Sequence, residues 1–104
     1  MNMMKLMKQA ASMQKDMHKM QADLAERTVE FSSGGGVVKC VARGDGSVAS
    51  LTIDPKVLDP NDVEMVQDLI LTAVDGALKA AKEMAVNEMS KLTAGLGLPP
   101  GFGF

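Results

Sequence analysis

The sequence predicts an α+β fold in which a long N-terminal helix, a three-stranded antiparallel meander and a long C-terminal helix follow one another. Three observations predict it. Apolar residues recur at spacings of three and four from Met3 to Arg27. They alternate with polar residues from Thr28 to Ile53, around two glycine-rich breaks. Helical periodicity then returns after Asp59-Pro60.

Numbered as heptads with Met3 at a, the first helix places Met3, Leu6, Ala10, Met13, Met17, Met20 and Leu24 at a and d. No Gly or Pro interrupts this stretch, and Met, Lys, Gln, Ala and Leu are good helix formers. So narrow a stripe, held to a heptad period, is that of a helix packing along another helix. The opposite side carries Lys5, Lys8, Lys15, His18 and Lys19.

Thr28–Ser32 reads as a strand with Val29 and Phe31 on one face, broken by Gly34-Gly35-Gly36. Val37–Arg43 and Val48–Ile53 follow, joined by Gly44-Asp45-Gly46-Ser47, whose two glycines are able to take positive φ. The expected inner face is Val29, Phe31, Val38, Cys40, Ala42, Ala49, Leu51 and Ile53, with Val37, Lys39, Val41 and Arg43 on the other side. Asp54-Pro55 ends the sheet, because Pro cannot donate to a ladder. Asp59 is expected as N-cap and Pro60 as first residue of a second helix reaching about Leu92. Val66, Ile70, Ala73, Ala77, Ala81 and Met84 mark its buried side, and Leu69, Leu71, Val74 and Leu78 widen it. Gly76 is costly in mid-helix unless a neighbour approaches closely there. Residues 1–94 thus form one domain, and 95–104 a tail rich in Gly and Pro.

A helix of 25 residues is about 38 Å long, whereas strands of six residues span only about 20 Å. The first helix overhangs the sheet, yet its stripe stays apolar to the tip. Exposing several large apolar side chains is unfavourable by ~1.5–3 kcal/mol each. A second copy removes the cost. The expectation is a homodimer with Leu6, Ala10, Met13, Met17 and Met20 in the interface.

Composition excludes much else. The 104 residues carry a net charge of only −2, but the distribution is polarised. Residues 1–20 hold four lysines and one acid, whereas residues 57–78 hold five acids and no base. One Cys and one His cannot build a disulfide framework or an intrachain zinc site, which fits a cytosolic setting. Neither a signal peptide nor an apolar run long enough for a membrane span is visible. The glycine triplet lacks the Lys-Ser/Thr of a phosphate-binding loop, and Asp45 lacks the companion acids of a calcium loop. The methionine stripe reads as packing rather than a metal or haem site, and Cys40 as a core residue. No nucleophile is paired with a base. The chain reads as a non-enzyme with no cofactor, no small-molecule substrate and no membrane partner.

Several stretches together resemble the YbaB/EbfC family of small bacterial nucleoid-associated proteins. They are Leu6-Met7-Lys8-Gln9-Ala10 with Met13-Gln14, Gly36-Val37-Val38-Lys39, Ile53-Asp54-Pro55, Asp68-Leu69-Ile70 with Ala73, and Leu98-Pro99-Pro100-Gly101-Phe102. The resemblance implies a homodimer whose long helices project like tweezers. It also implies binding of double-stranded DNA with little sequence preference, and a place in the cytoplasmic nucleoid organising DNA or regulating genes. Two features differ: Asp75-Gly76 stands where relatives often have Asn-Asp, and the glycine-rich extension common ahead of the first helix is almost absent. By composition Lys5, Lys8, Lys15 and Lys19 describe a solvated helix face; with the resemblance they become phosphate contacts, eight per dimer. Lys79, Lys82 and Lys91 follow as second-rank contacts, Lys79 having Asp75 and Glu83 within ion-pairing distance along the helix. Between Met3 and Arg27 no Asn, Arg or aromatic is present to read bases, so weak specificity and strong salt dependence are expected. The rival is a helical adaptor that clasps another protein through the Met-rich seam.

Overall fold

The computed structural model describes residues 2–95. Its elements are α1 (Met3–Glu26), β1 (Thr28–Ser33), β2 (Val38–Arg43), β3 (Val48–Ile53), a 3-10 turn (Pro55–Val57) and α2 (Val63–Gly95). The two long helices flank one antiparallel sheet of order β1-β2-β3, as the periodicities require. The Pro99-Pro100 tail lies outside the described residues.

The Asn2 side chain caps α1, accepting from the N–H groups of Met4 at 3.1 Å and Lys5 at 3.4 Å. Extended backbone at Arg27 ends the helix, and Thr28 and Val29 start β1. Gly34, Gly35 and Gly36 all have positive φ, which lets the chain turn back without Cβ strain. In the next hairpin only Gly46 does so. Gly44 is required for another reason: its N–H donates to the Arg27 carbonyl at 2.9 Å, and a Cβ there would collide with the Leu24 carbonyl. Asp45 accepts from the Ser47 hydroxyl at 2.5 Å and the Ser47 N–H at 2.9 Å. Those two bonds hold its carboxyl below the ordinary carboxylate range.

The structure departs from the sequence reading at several points: β1 runs on to Ser33 rather than Ser32, and α2 to Gly95 rather than about Leu92. Strand β2 begins at Val38, not Val37; the Val37 carbonyl accepts from Asp54 N–H at 2.8 Å, and its side chain packs against the core. A bulge in β3 sets Val48, rather than Ala49, opposite Ala42. Helix α2 starts at Val63 because Asp59 accepts from its own neighbour Asn61 at 2.9 Å, forming a turn. Asp62 then supplies the cap, accepting from Met65 N–H at 3.2 Å.

Helix α2 lies across β1 and β2 and leaves most of β3 exposed, with Ile53 packed against the core. Ala73, Ala77 and Ala81, one turn apart, rest on Val38, Cys40 and Ala42, and all six are fully buried. Small side chains on both layers let the helix sit close to the sheet. Burial keeps the Cys40 thiol above its ordinary pKa, so it is protonated and inert. At the far end, the buried Ser33 hydroxyl donates to the Leu69 carbonyl at 2.6 Å and pins β1 to α2.

The close neighbour required at Gly76 is Phe31, whose ring occupies the space a Cβ would take. Gly76→Ala therefore sets a helix-propensity gain of about 1 kcal/mol against overpacking of about 1–3 kcal/mol. A net loss of stability is expected, and Phe31→Leu in the same chain should relieve it, as a thermal double-mutant cycle would show.

The interior is small for the length of the molecule. The radius of gyration is 19.7 Å and the extents are 74 × 21 × 16 Å, against about 13 Å for a compact chain of 100 residues. Nearly all of α1 stands away from the sheet, and Leu24 is its one buried residue.

Candidate nucleic-acid interface

Helix α1 is an arm rooted at its C-terminal end. Leu24 is buried against the hairpin at Gly44, and Arg27 pairs with Glu88 of α2 at 3.5 Å. From that root the arm runs about 36 Å out to Met3.

Lys5, Lys8, Lys15 and Lys19 follow one another at spacings of three, seven and four, which aligns them as a ridge along the arm. All four are exposed, and among the described residues none has an acidic partner. Like charges three or four residues apart cost about 0.2–0.5 kcal/mol per pair in an isolated helix. The outer pair, Lys5 and Lys8, is thus slightly self-repelling, whereas Lys19 has Asp16 three residues before it and Asp23 four after. No acid occupies the first turn of α1, so the positive end of the helix dipole is met there only by the uncharged Asn2 cap.

The lysines of α2 are differently placed. Lys79 binds Asp75 at 3.0 Å, as the i,i+4 spacing suggests, and Lys91 binds Glu88 at 3.5 Å. Lys82 has no ion pair among the described residues but stands beside Ala81, on the stretch of α2 held to the sheet. Lys91 alone is brought to the root of the arm, where Glu88 links it to Arg27. Arg27 has no signal in the sequence, since its partner is sixty-one positions away in the chain. The acids Asp59, Asp62, Glu64 and Asp68 collect at the opposite end of the sheet from the arm's root, around Ser33 and Gly34.

Two apolar surfaces remain open. On the arm, Leu6, Ala10 and Met13 are exposed, Met13 at 43%, while Met17 and Met20 are half-buried. On the sheet, Val48 and Leu51 are exposed because α2 lies mainly over β1 and β2, Leu51 at 42%. Half-buried Ile70, Val74 and Leu78 of α2 continue that sheet surface.

Residues 1–96 match the pattern of the YbaB/EbfC DNA-binding family. A nucleoid-associated protein of Ruminiclostridium cellulolyticum is 57% identical over 100 residues, covering 96% of this chain and 87% of that one. A nucleoid-associated protein of Acetivibrio thermocellus is 54% identical over 96% of this chain and 88% of its own. The crystal structure of an uncharacterized protein from Helicobacter pylori has the same fold, with a TM-score of 0.71, 25% identity, and coverage of 88% of this chain and 97% of that one.

Proposed function

Because the chain belongs to the YbaB/EbfC DNA-binding family, we propose that it is a nucleoid-associated protein. Two copies bind double-stranded DNA through phosphate contacts, with little sequence preference, and alter its conformation in the nucleoid. The observation that carries this reading is the ridge of Lys5, Lys8, Lys15 and Lys19, exposed on a projecting arm without acidic partners among the described residues. Dimerisation is supported by the bare apolar surfaces. Leu6, Ala10, Met13, Met17 and Met20 on the arm, and Val48 and Leu51 on β3, are what a second copy covers. Lys91 assists at the arm's root, while Lys79 and Lys82 contribute little.

A salt series of mobility shifts on unrelated duplexes tests this. Affinity is expected to fall steeply as salt rises, to a similar degree on each duplex. Lys8→Ala removes one contact per chain, so the slope of log K against log salt should flatten by about 2 in a dimer. Light scattering should give twice the mass of one chain. A pure dimer without affinity for random duplex at low salt would instead favour the adaptor reading, with the exposed seam taking a protein partner.

A further inference from the structure

The first two turns of α1 carry a second apolar face that the seam does not account for. Met4, Met7 and Ala11, three and four residues apart, lie between the seam of Leu6, Ala10 and Met13 and the ridge of Lys8 and Lys15. Met4 is 69% and Met7 67% exposed, close to Met3 at the tip of the seam at 74% and above Leu6 and Met13 further in. Beyond Ala11 the same side turns polar, with Gln14, His18 and Gln21. A partner helix laid along the seam leaves Met4 and Met7 bare. Their bareness is confined to the tip of the arm, and it borders the lysines directly: Met4 neighbours Lys8 one turn on, and Ala11 neighbours Lys15.

We propose that Met4 and Met7 form a wedge that enters the DNA and opens the base stack. The proposal rests on the DNA-binding reading above. A polyanion held by Lys5 and Lys8, at a helix end that Asn2 caps and no acid neutralises, is drawn against these two thioethers. Apolar side chains inserted from the minor groove between base pairs unstack them and bend the duplex away from the protein. Methionine is unbranched and polarisable, so it adapts to steps of differing shape. Pyrimidine–purine steps give way most easily. Preference then comes from deformability rather than hydrogen bonds to base edges, which suits an arm with no Asn, Arg or aromatic between Met3 and Arg27.

The test is the double variant M4Q/M7Q. Glutamine has a similar length and helix propensity and carries no charge, so the lysine ridge is unchanged. Energy transfer between dyes on the ends of a duplex of about 30 base pairs with a central TA step reports bending. The wild-type protein should raise the transfer. The variant should bind about tenfold more weakly at the same salt, keep the salt slope, and leave the transfer at its free-duplex value. A variant that bends and binds like the wild type would overturn the wedge. So would a variant that scatters as a single chain, since the methionines would then belong to the contact between copies. Wild-type binding without bending removes the wedge and spares the lysine ridge, whereas no wild-type binding at low salt removes both.

Discussion

Replacing Lys8, Lys15 and Lys19 together with Glu should abolish retention of duplex DNA while leaving the dimer intact. The change turns residues 1–20 from a net +3 to −3, so the ridge no longer attracts phosphates but repels them. In a dimer six contacts are lost. Each released counterion is worth close to tenfold in affinity at 0.1 M salt, so a loss of at least about a thousandfold is expected. All three positions are exposed and have no ion pair among the described residues, and Lys and Glu are comparable helix formers, so the helix should persist. Mobility shift and light scattering on the same sample check the two halves of the claim. DNA binding that survives the triple change would place the interface elsewhere.

Gly44→Ala should be the most damaging small substitution in the fold. The added Cβ meets the Leu24 carbonyl, a backbone atom at the last turn of α1 that cannot rotate away. Relief requires either the hairpin or the arm to shift, which would disturb the Gly44 N–H bond to the Arg27 carbonyl and the burial of Leu24. A cost of about 2 kcal/mol or more is expected, lowering the thermal midpoint by about 8 °C or more in a domain of this size. Proteolysis near Arg27 should quicken at the same time, because the arm loses its seat. At Gly76 the obstructing atoms belong to a side chain, Phe31, and the penalty there should be smaller.

Much of this was legible in the sequence because the signals are local. The heptad stripe, the alternation through Val38, Cys40 and Ala42, and the one-turn spacing of Ala73, Ala77 and Ala81 each follow from a single element's period. What was not legible depends on pairs distant in the chain. The β3 bulge appears only once β3 is in register with β2. The need for Gly44 appears only when Leu24 is laid beside it, and the pairing of Arg27 only when Glu88 arrives. The start of α2 was misplaced by three residues because Asp59 and Asp62 are equally good caps on paper, and the Asp59–Asn61 turn decides between them. At the candidate interface, the lysine ridge was readable from spacing. The exposure of Met4 and Met7 was not, because the heptad frame directs attention to the seam.

The separation of charge along the molecule has a consequence for crowded DNA. The chain is 74 Å long, with its cationic arm rooted at one end of the sheet and the acids of Asp59 to Asp68 at the other. That length is many times the screening distance of about 8 Å at physiological ionic strength, so the two ends behave as independent electrodes. On the proposed reading, a duplex gripped arm-first would have the carboxylates of Asp59 to Asp68 on the far side of the protein from it. Two duplexes so covered would repel each other, so dense occupancy should space neighbouring DNA segments apart instead of gluing them into bundles.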